Sequence, residues 1–183
     1  MIKRICKTIL CLLIAAALAG IDQVIKKWAV ITLKNSSAMP VIPKLVQFNY
    51  VENFGAAFNI LNEKRWLLVV FSVAMSLLIL VFLFITLKEK NTNRWVRNLE
   101  IVSGVMILAG AFGNLIDRLM IGHVVDYIQV LFIDFPVFNM ADCLIVVGGI
   151  LVVIAFLFDK EPKEKAKQET EAAEEETEVQ TEE

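Results

Sequence analysis

Residues 66–87 read Trp-Leu-Leu-Val-Val-Phe-Ser-Val-Ala-Met-Ser-Leu-Leu-Ile-Leu-Val-Phe-Leu-Phe-Ile-Thr-Leu, 22 residues without a charge, a glycine or a proline. About 20 apolar residues, each rising 1.5 Å along a helix, cross the roughly 30 Å hydrocarbon core of a bilayer. This stretch therefore reads as a membrane span, and three others follow from it. Between Lys7 and Lys26 lie 18 residues whose only charge is Asp22; Ile101–Ile116 gives 16 uncharged residues; Val137–Phe158 gives 22 whose only charge is Asp142. With a turn added to the shorter runs, the spans are placed at about 8–25, 66–87, 98–116 and 137–158. The expected fold class is an all-α integral membrane protein: four transmembrane helices with a small extracytoplasmic β-sheet segment at about 40–60. The sheet is read from Val46, Phe48 and Tyr50 alternating with Gln47 and Asn49, ahead of a turn at Asn53-Phe54-Gly55.

Composition agrees. Hydrophobic residues make up 57% of the 183, above the roughly 45–50% of soluble domains. The net charge of -2 hides a split: residues 1–158 carry 14 basic and nine acidic side chains, residues 159–183 four and 11. Residues 1–158 are read as one membrane-embedded domain and 159–183 as a disordered acidic cytoplasmic tail. No basic stripe with interleaved aromatics is present, so nucleic acid is not an expected partner. Cys6, Cys11 and Cys143 sit in apolar stretches and read as packing residues. The single histidine, His123, is too few for a common metal site, and neither a metal nor a cofactor is expected. Lys3, Arg4 and Lys7 before the first run, with Ala17-Leu18-Ala19-Gly20 at its end, have the form of a cleaved secretory signal. Because three spans follow, a retained helix is expected.

Orientation follows from the loops. With the N-terminus inside, segments 1–7, 88–97 and the tail hold 11 basic residues, and the outer segments hold seven, six of them in one long loop. The positive-inside bias favours this arrangement, with both termini cytoplasmic. It has a consequence for the polar residues. Asp22 and Lys26 end the outward-running first span; Asn114, Asp117 and Arg118 end the outward-running third; Asn139 and Asp142 begin the inward-running fourth. Asn53 and Asp126 lie in outer connections, so all these groups fall at one leaflet. An ionisable residue in a span is costly and is a functional hypothesis by default. Each also has a plainer reading: Asp22–Lys26 as an interfacial pair with a snorkelling lysine, Asp117–Arg118 as a helix-end ion pair, Asp142 as a carboxylate facing the helix dipole. Two carboxylates in a low-dielectric site titrate as a unit, one ionised and one protonated, which suits the activation of water against a carbonyl. Ser36, Ser37, Ser72, Ser76 and Ser103 lack a nucleophile context, and the small residues Gly104, Ala109, Gly110 and Gly113 read as helix-packing positions.

Five ordered motifs carry a resemblance. They are Asp22-Gln23-x-x-Lys26, Asn53-x-Gly55-Ala56-Ala57-Phe58, Gly113-Asn114-x-x-Asp117-Arg118, Val124-Val125-Asp126-Tyr127 and Phe138-Asn139-x-Ala141-Asp142. Together they resemble the bacterial lipoprotein signal peptidase (signal peptidase II) family over residues 10–158; His123 stands where an aromatic residue is more usual. The resemblance implies an intramembrane aspartic endopeptidase, a hydrolase of lipoprotein processing in the bacterial cytoplasmic (inner) membrane. Its partners would be diacylated prolipoprotein signal peptides and membrane lipids, and it would be monomeric. Asp126 and Asp142 match the catalytic pair; Asp22, Lys26, Asn53, Gly55, Asn114, Asp117, Arg118, Asn139 and Ala141 match substrate-binding or supporting positions. Two rival classes remain at this point: a small transporter or proton channel, and an assembly scaffold whose polar residues serve packing. A cleavage assay on single aspartate variants separates the three.

Overall fold

A computed structural model describes residues 2–55, 64–88 and 93–158, with side chains from residue 5 onward. The expected tail, the centre of the 88–97 connection and the end of the 40–60 segment lie outside these residues. The order of elements is α1 (Ile2–Leu33), β1 (Met39–Ile42), β2 (Val46–Asn53), α2 (Arg65–Lys88), α3 (Arg94–Met120), β3 (Val124–Val130) and α4 (Met140–Phe158). All four helices are long and apolar enough to cross a membrane.

α3 is the hub: α1, α2 and α4 all pack on it. The buried cluster Cys11, Ala15, Leu83, Val105, Leu108, Ala109 and Leu144 draws on all four helices. Outward faces stay apolar, with Phe71, Leu78 and Phe156 exposed. Hydrocarbon is as apolar as these side chains, so close approach and polar contacts, more than water exclusion, hold such helices together. Close approach is greatest where α3 meets α4. A methyl group added to Gly110 would collide with the Ala141 carbonyl, and one added to Gly113 would lie 2.5 Å from an Asp22 carboxylate oxygen and 3.2 Å from the Ala141 Cβ. These glycines let α1, α3 and α4 converge where Asp22, Gly113 and Ala141 meet.

α1 departs from the expected span. It continues past residue 25 to Leu33, about 48 Å in all at 1.5 Å per residue. Lys26 does not end it, because that ammonium is buried and paired. The extra turns form a shelf for the sheet: Ala29 and Leu33 are buried with Val125 and Tyr127, and Phe48 meets Trp28 edge-on at 5.4 Å. The sheet has three antiparallel strands in the order β1-β2-β3. Its third strand comes from the 117–136 connection. Gly122, at φ +88°, follows the end of α3 and turns the chain into β3. Register pairs Val51 with Asp126 and Asn53 with Val124. Phe138 pairs with Ile128 on the far edge, so the chain re-enters the membrane as an added half-strand and α4 starts at Met140, later than the expected 137.

Candidate active site

The first turn of α4 shows how the site is assembled. A helix leaves its first N–H groups without intrahelical partners, and each is costly to bury unpaired at membrane depth. Here Met140 N–H donates to the Tyr127 hydroxyl at 3.2 Å, Ala141 N–H to Asp22 Oδ1 at 3.0 Å and Asp142 N–H to Asn139 Oδ1 at 3.0 Å. Asp142 Oδ2 in turn accepts from the Asn139 N–H at 3.0 Å, closing a reciprocal cap of the Ser/Thr-x-x-Glu kind built from Asn and Asp. β3, α1 and the residue before α4 are thus fastened to one helix end, and this fixes Asp142.

From there the polar groups connect without a break. Asn114 on α3 donates from Nδ2 to Asp142 Oδ1 at 2.8 Å, and its Oδ1 accepts from Lys26 Nζ at 2.9 Å. Asn139 Nδ2 donates to Asp126 Oδ1 at 2.6 Å and to Asn114 Oδ1 at 3.2 Å. Asn53 Nδ2 donates to Asp126 Oδ2 at 2.9 Å, and its Oδ1 accepts from the Gly55 N–H at 2.9 Å. One asparagine, Asn139, therefore contacts both Asp126 and Asp142. Arg118 Nη2 donates to the Gly55 carbonyl at 3.1 Å. Behind this lies the Lys26 ammonium, 3.0 Å from Asp22 Oδ2 and 2.9 Å from Asp117 Oδ2. Breaking such a buried pair by removing one partner typically costs about 3–5 kcal/mol.

Two of the plainer readings are corrected by this geometry. Lys26 does not snorkel: it is 2% exposed and satisfied within the protein. Asp117 does not pair with Arg118: its oxygens take Gln23 Nε2 at 2.9 Å, Lys26 and the Val125 N–H at 3.1 Å, so it ties α1 to β3. The reading of Asp142 as a first-turn carboxylate holds, but the same carboxylate also meets Asn114. His123 lies against the Phe54 ring and 3.9 Å from Glu52.

The two aspartates look into a cavity of about 650 Å³. α2 lines it with Leu68, Phe71 and Met75, α3 with Ile107 and Arg118, and α4 with Ile145 and Val146. It is an apolar groove with a polar end, the form taken by sites that hold an apolar ligand and fix one point of it by polar contacts. Asp126, 2% exposed, is pushed up to about 7, first by burial and then by the charge of Asp142; the Asn53 and Asn139 amides oppose this. A carboxyl poised near neutrality beside a second carboxylate can hold or release a proton at working pH. Among the described residues, no group of three or more His, Cys, Asp or Glu side chains is placed to hold a metal ion.

A family model described as signal peptidase (SPase) II matches residues 14–158. The chain belongs to the signal peptidase II family. A lipoprotein signal peptidase of Streptococcus thermophilus (strain CNRZ 1066) is 37% identical over 138 residues, 75% of this chain and 86% of that one. One of Lactococcus lactis subsp. lactis is 34% identical over 157 residues, 86% of this chain and 99% of that one. A solved structure described as a bacterial membrane enzyme, determined in meso at 2.3 Å resolution, is similar with TM-score 0.71 and 30% identity. It covers 83% of this chain and 92% of its own. The signal peptidase II match runs from the middle of α1 to the last residue of α4 and so takes in the whole polar cluster.

Three contributors in this signal peptidase II chain have no role assigned from the sequence, although Gln23 and Tyr127 stand in its motifs. Gln23 donates to the Gly113 carbonyl at 3.0 Å as well as to Asp117; its place between Asp22 and Lys26 was the available signal. Tyr127 receives the Met140 N–H, and nothing in its motif shows which backbone group it would meet. Arg65, at the start of α2, donates to the Arg118 and Leu119 carbonyls at 2.7 and 2.9 Å and so caps the end of α3.

Proposed function

We propose that this chain removes signal peptides from prolipoproteins, with Asp126 and Asp142 acting as one aspartic catalytic unit. The observation that carries the reading is the placement of both carboxylates, joined through Asn139, at the polar end of a membrane-level apolar groove. A hydrophobic signal helix and a diacylglyceryl chain both suit such a groove, and neither has to leave the bilayer. Cleavage just before the lipidated cysteine would then bring the scissile carbonyl to the aspartates.

The pair holds one proton between two carboxyl groups. The ionised member takes a proton from water as the water oxygen bonds to the peptide carbonyl carbon. The protonated member gives its proton to the carbonyl oxygen. In the gem-diol that results, the pair gives its proton to the departing cysteine nitrogen as the C–N bond breaks, and one diol hydroxyl returns a proton to the pair as its C=O bond forms. One proton is left on the pair, as at the start. Asn53 and Arg118 flank this position, and Arg118 has guanidinium N–H groups beyond the one given to Gly55 with which to hold substrate backbone.

The test is cleavage of a diacylated prolipoprotein by the purified chain in detergent. Asn is nearly isosteric with Asp but cannot act as a base. Asp126→Asn and Asp142→Asn should each reduce turnover to near background. The double variant should be little worse than either single one, because losses within one catalytic unit do not add. Near-normal turnover by either single variant would remove the aspartic mechanism.

A further inference from the structure

Three asparagine amides surround the carboxylates, and each is oriented by a group that can only donate. The Gly55 N–H fixes Asn53, and the Asp142 N–H fixes Asn139. Asn114 differs, because its oxygen faces a charge, the Lys26 ammonium. The other two Lys26 contacts are the carboxylates of Asp22 and Asp117. The third goes to a neutral amide whose Nδ2 then points at Asp142 Oδ1. The carboxylates are not equivalent. Asp142 accepts from this polarised amide and from the Asn139 N–H, and sits in the first turn of α4 where the helix dipole favours negative charge. Asp126 lies on a strand, is more deeply buried, and is held by two amides that backbone groups orient.

We propose that Lys26 is a positioning residue for the cleavage reaction: acting through Asn114, it holds Asp142 as the carboxylate that takes the proton from water and leaves Asp126 as the member that brings the proton. The assignment rests on the peptidase reading above and deepens it. The position of Asp126 near 7 agrees, with burial and the negative charge of Asp142 raising it and the charge of Lys26 opposing them. The charged and titratable groups facing the pair are Asp22 and Lys26 from α1, Asp117 and Arg118 from α3, Tyr127 from β3 and Cys143 from α4.

The experiment is a double-mutant cycle on Lys26→Met and Asn114→Ala, read as single-turnover cleavage of a diacylated prolipoprotein across pH. Each single change should lower the rate by about 10- to 100-fold, as for loss of a hydrogen bond involving a charged group. At the pH of maximal rate the double variant should lie within about threefold of the worse single one, because the proposed effect of Lys26 on Asp142 passes through Asn114. In Lys26→Met the alkaline limb should also move to higher pH, since Asp126 loses a cation that favours its ionised form. A lysine acting only through its ion pairs with Asp22 and Asp117 would instead give losses that multiply with those of Asn114→Ala. If Lys26→Met does not insert, the charge-balanced Lys26→Met/Asp117→Asn chain takes its place in the cycle, with Asp117→Asn as its reference. Losses that multiply, or an unmoved limb in a folded variant, overturn the role of Lys26 while leaving the peptidase reading intact. A parent chain that does not cleave overturns both.

Discussion

Asp126 bears on stability as well as on the proposed chemistry. Its carboxyl is raised from an ordinary 3.8 to about 7. The folded chain therefore keeps a proton that the unfolded chain releases at much lower pH. Between those two values unfolding releases a proton, so the stability that Asp126 contributes is fully present below about 4 and is lost as pH rises through 7. Asn cannot ionise, yet its amide oxygen can still accept from Asn53 or Asn139. Asp126→Asn should consequently gain on the parent as pH rises: the difference in Tm, variant minus parent, should be more positive at pH 8 than at pH 5. Thermal unfolding of both chains in the same detergent at the two pH values measures this. An equal difference at both would mean that Asp126 titrates as an ordinary exposed carboxylate. Burial drives the shift, and burial of this one residue is what a sequence does not print. The sequence marks Asp126 as a carboxylate in an outer connection; that it lies within a strand, opposite Val51 and under two amides, is a product of register.

The helices themselves were legible, because a charge-free run of about 20 residues has few other uses. Their ends were less so. The first span was expected to stop at Lys26 because a lone ammonium does not belong in hydrocarbon. Three partners from two helices remove that objection, and the helix runs on to Leu33. β3 was missed as a strand because Val-Val-Asp-Tyr-Ile-Gln-Val alternates poorly, and Val124–Tyr127 was flagged only through the family motif. Pairing was legible only in part: Asp22 and Lys26, four apart, do pair at 3.0 Å, but Asp117 stands beside Arg118 in sequence, yet bonds to α1 and β3. Small residues show the same division. Gly113 was read as a packing position, and the structure identifies its neighbour as Asp22. Gly113→Ala should force α3 away from α1 and α4. Overpacking of this kind costs about 1–3 kcal/mol, and here it would also displace the Asp22–Lys26 pair and lower cleavage. Gly20→Ala is the contrast, with nothing within 4 Å of the added methyl group. It should keep parental activity and lose no Tm. Equal behaviour of the two variants would show that the approach of α3 at Gly113 is looser than the structure has it.

At the scale of the whole molecule, the polar cluster gathers the Asp22–Lys26 turn of α1, the end of α3 and the start of α4 at one end of the bundle, and the sheet rests on that same end, against the last turns of α1. The opposite end is tied by an aromatic contact, Trp95 at the start of α3 against Phe158 at the end of α4. Which end faces out is decided by charge. The N-terminal segment, the α2–α3 connection and the tail together hold 11 basic residues against seven at the site end, and short basic segments resist translocation. Several of the seven are also occupied by partners: Lys26 by two carboxylates, Lys34 by Glu52 at 2.8 Å, and Arg65 by the α3 carbonyls. The cluster and sheet should accordingly face outward. There a substrate already translocated to the outer leaflet would present its cleavage point with water at hand. A tag inserted at Asn35 should be reached by a membrane-impermeant reagent in intact cells, while tags after Lys90 and at the C-terminus should be reached only after permeabilisation. If the C-terminal tag is labelled in intact cells, the orientation is reversed, and the carboxylate pair would open to the cytoplasm, where no translocated signal peptide could present its cleavage site.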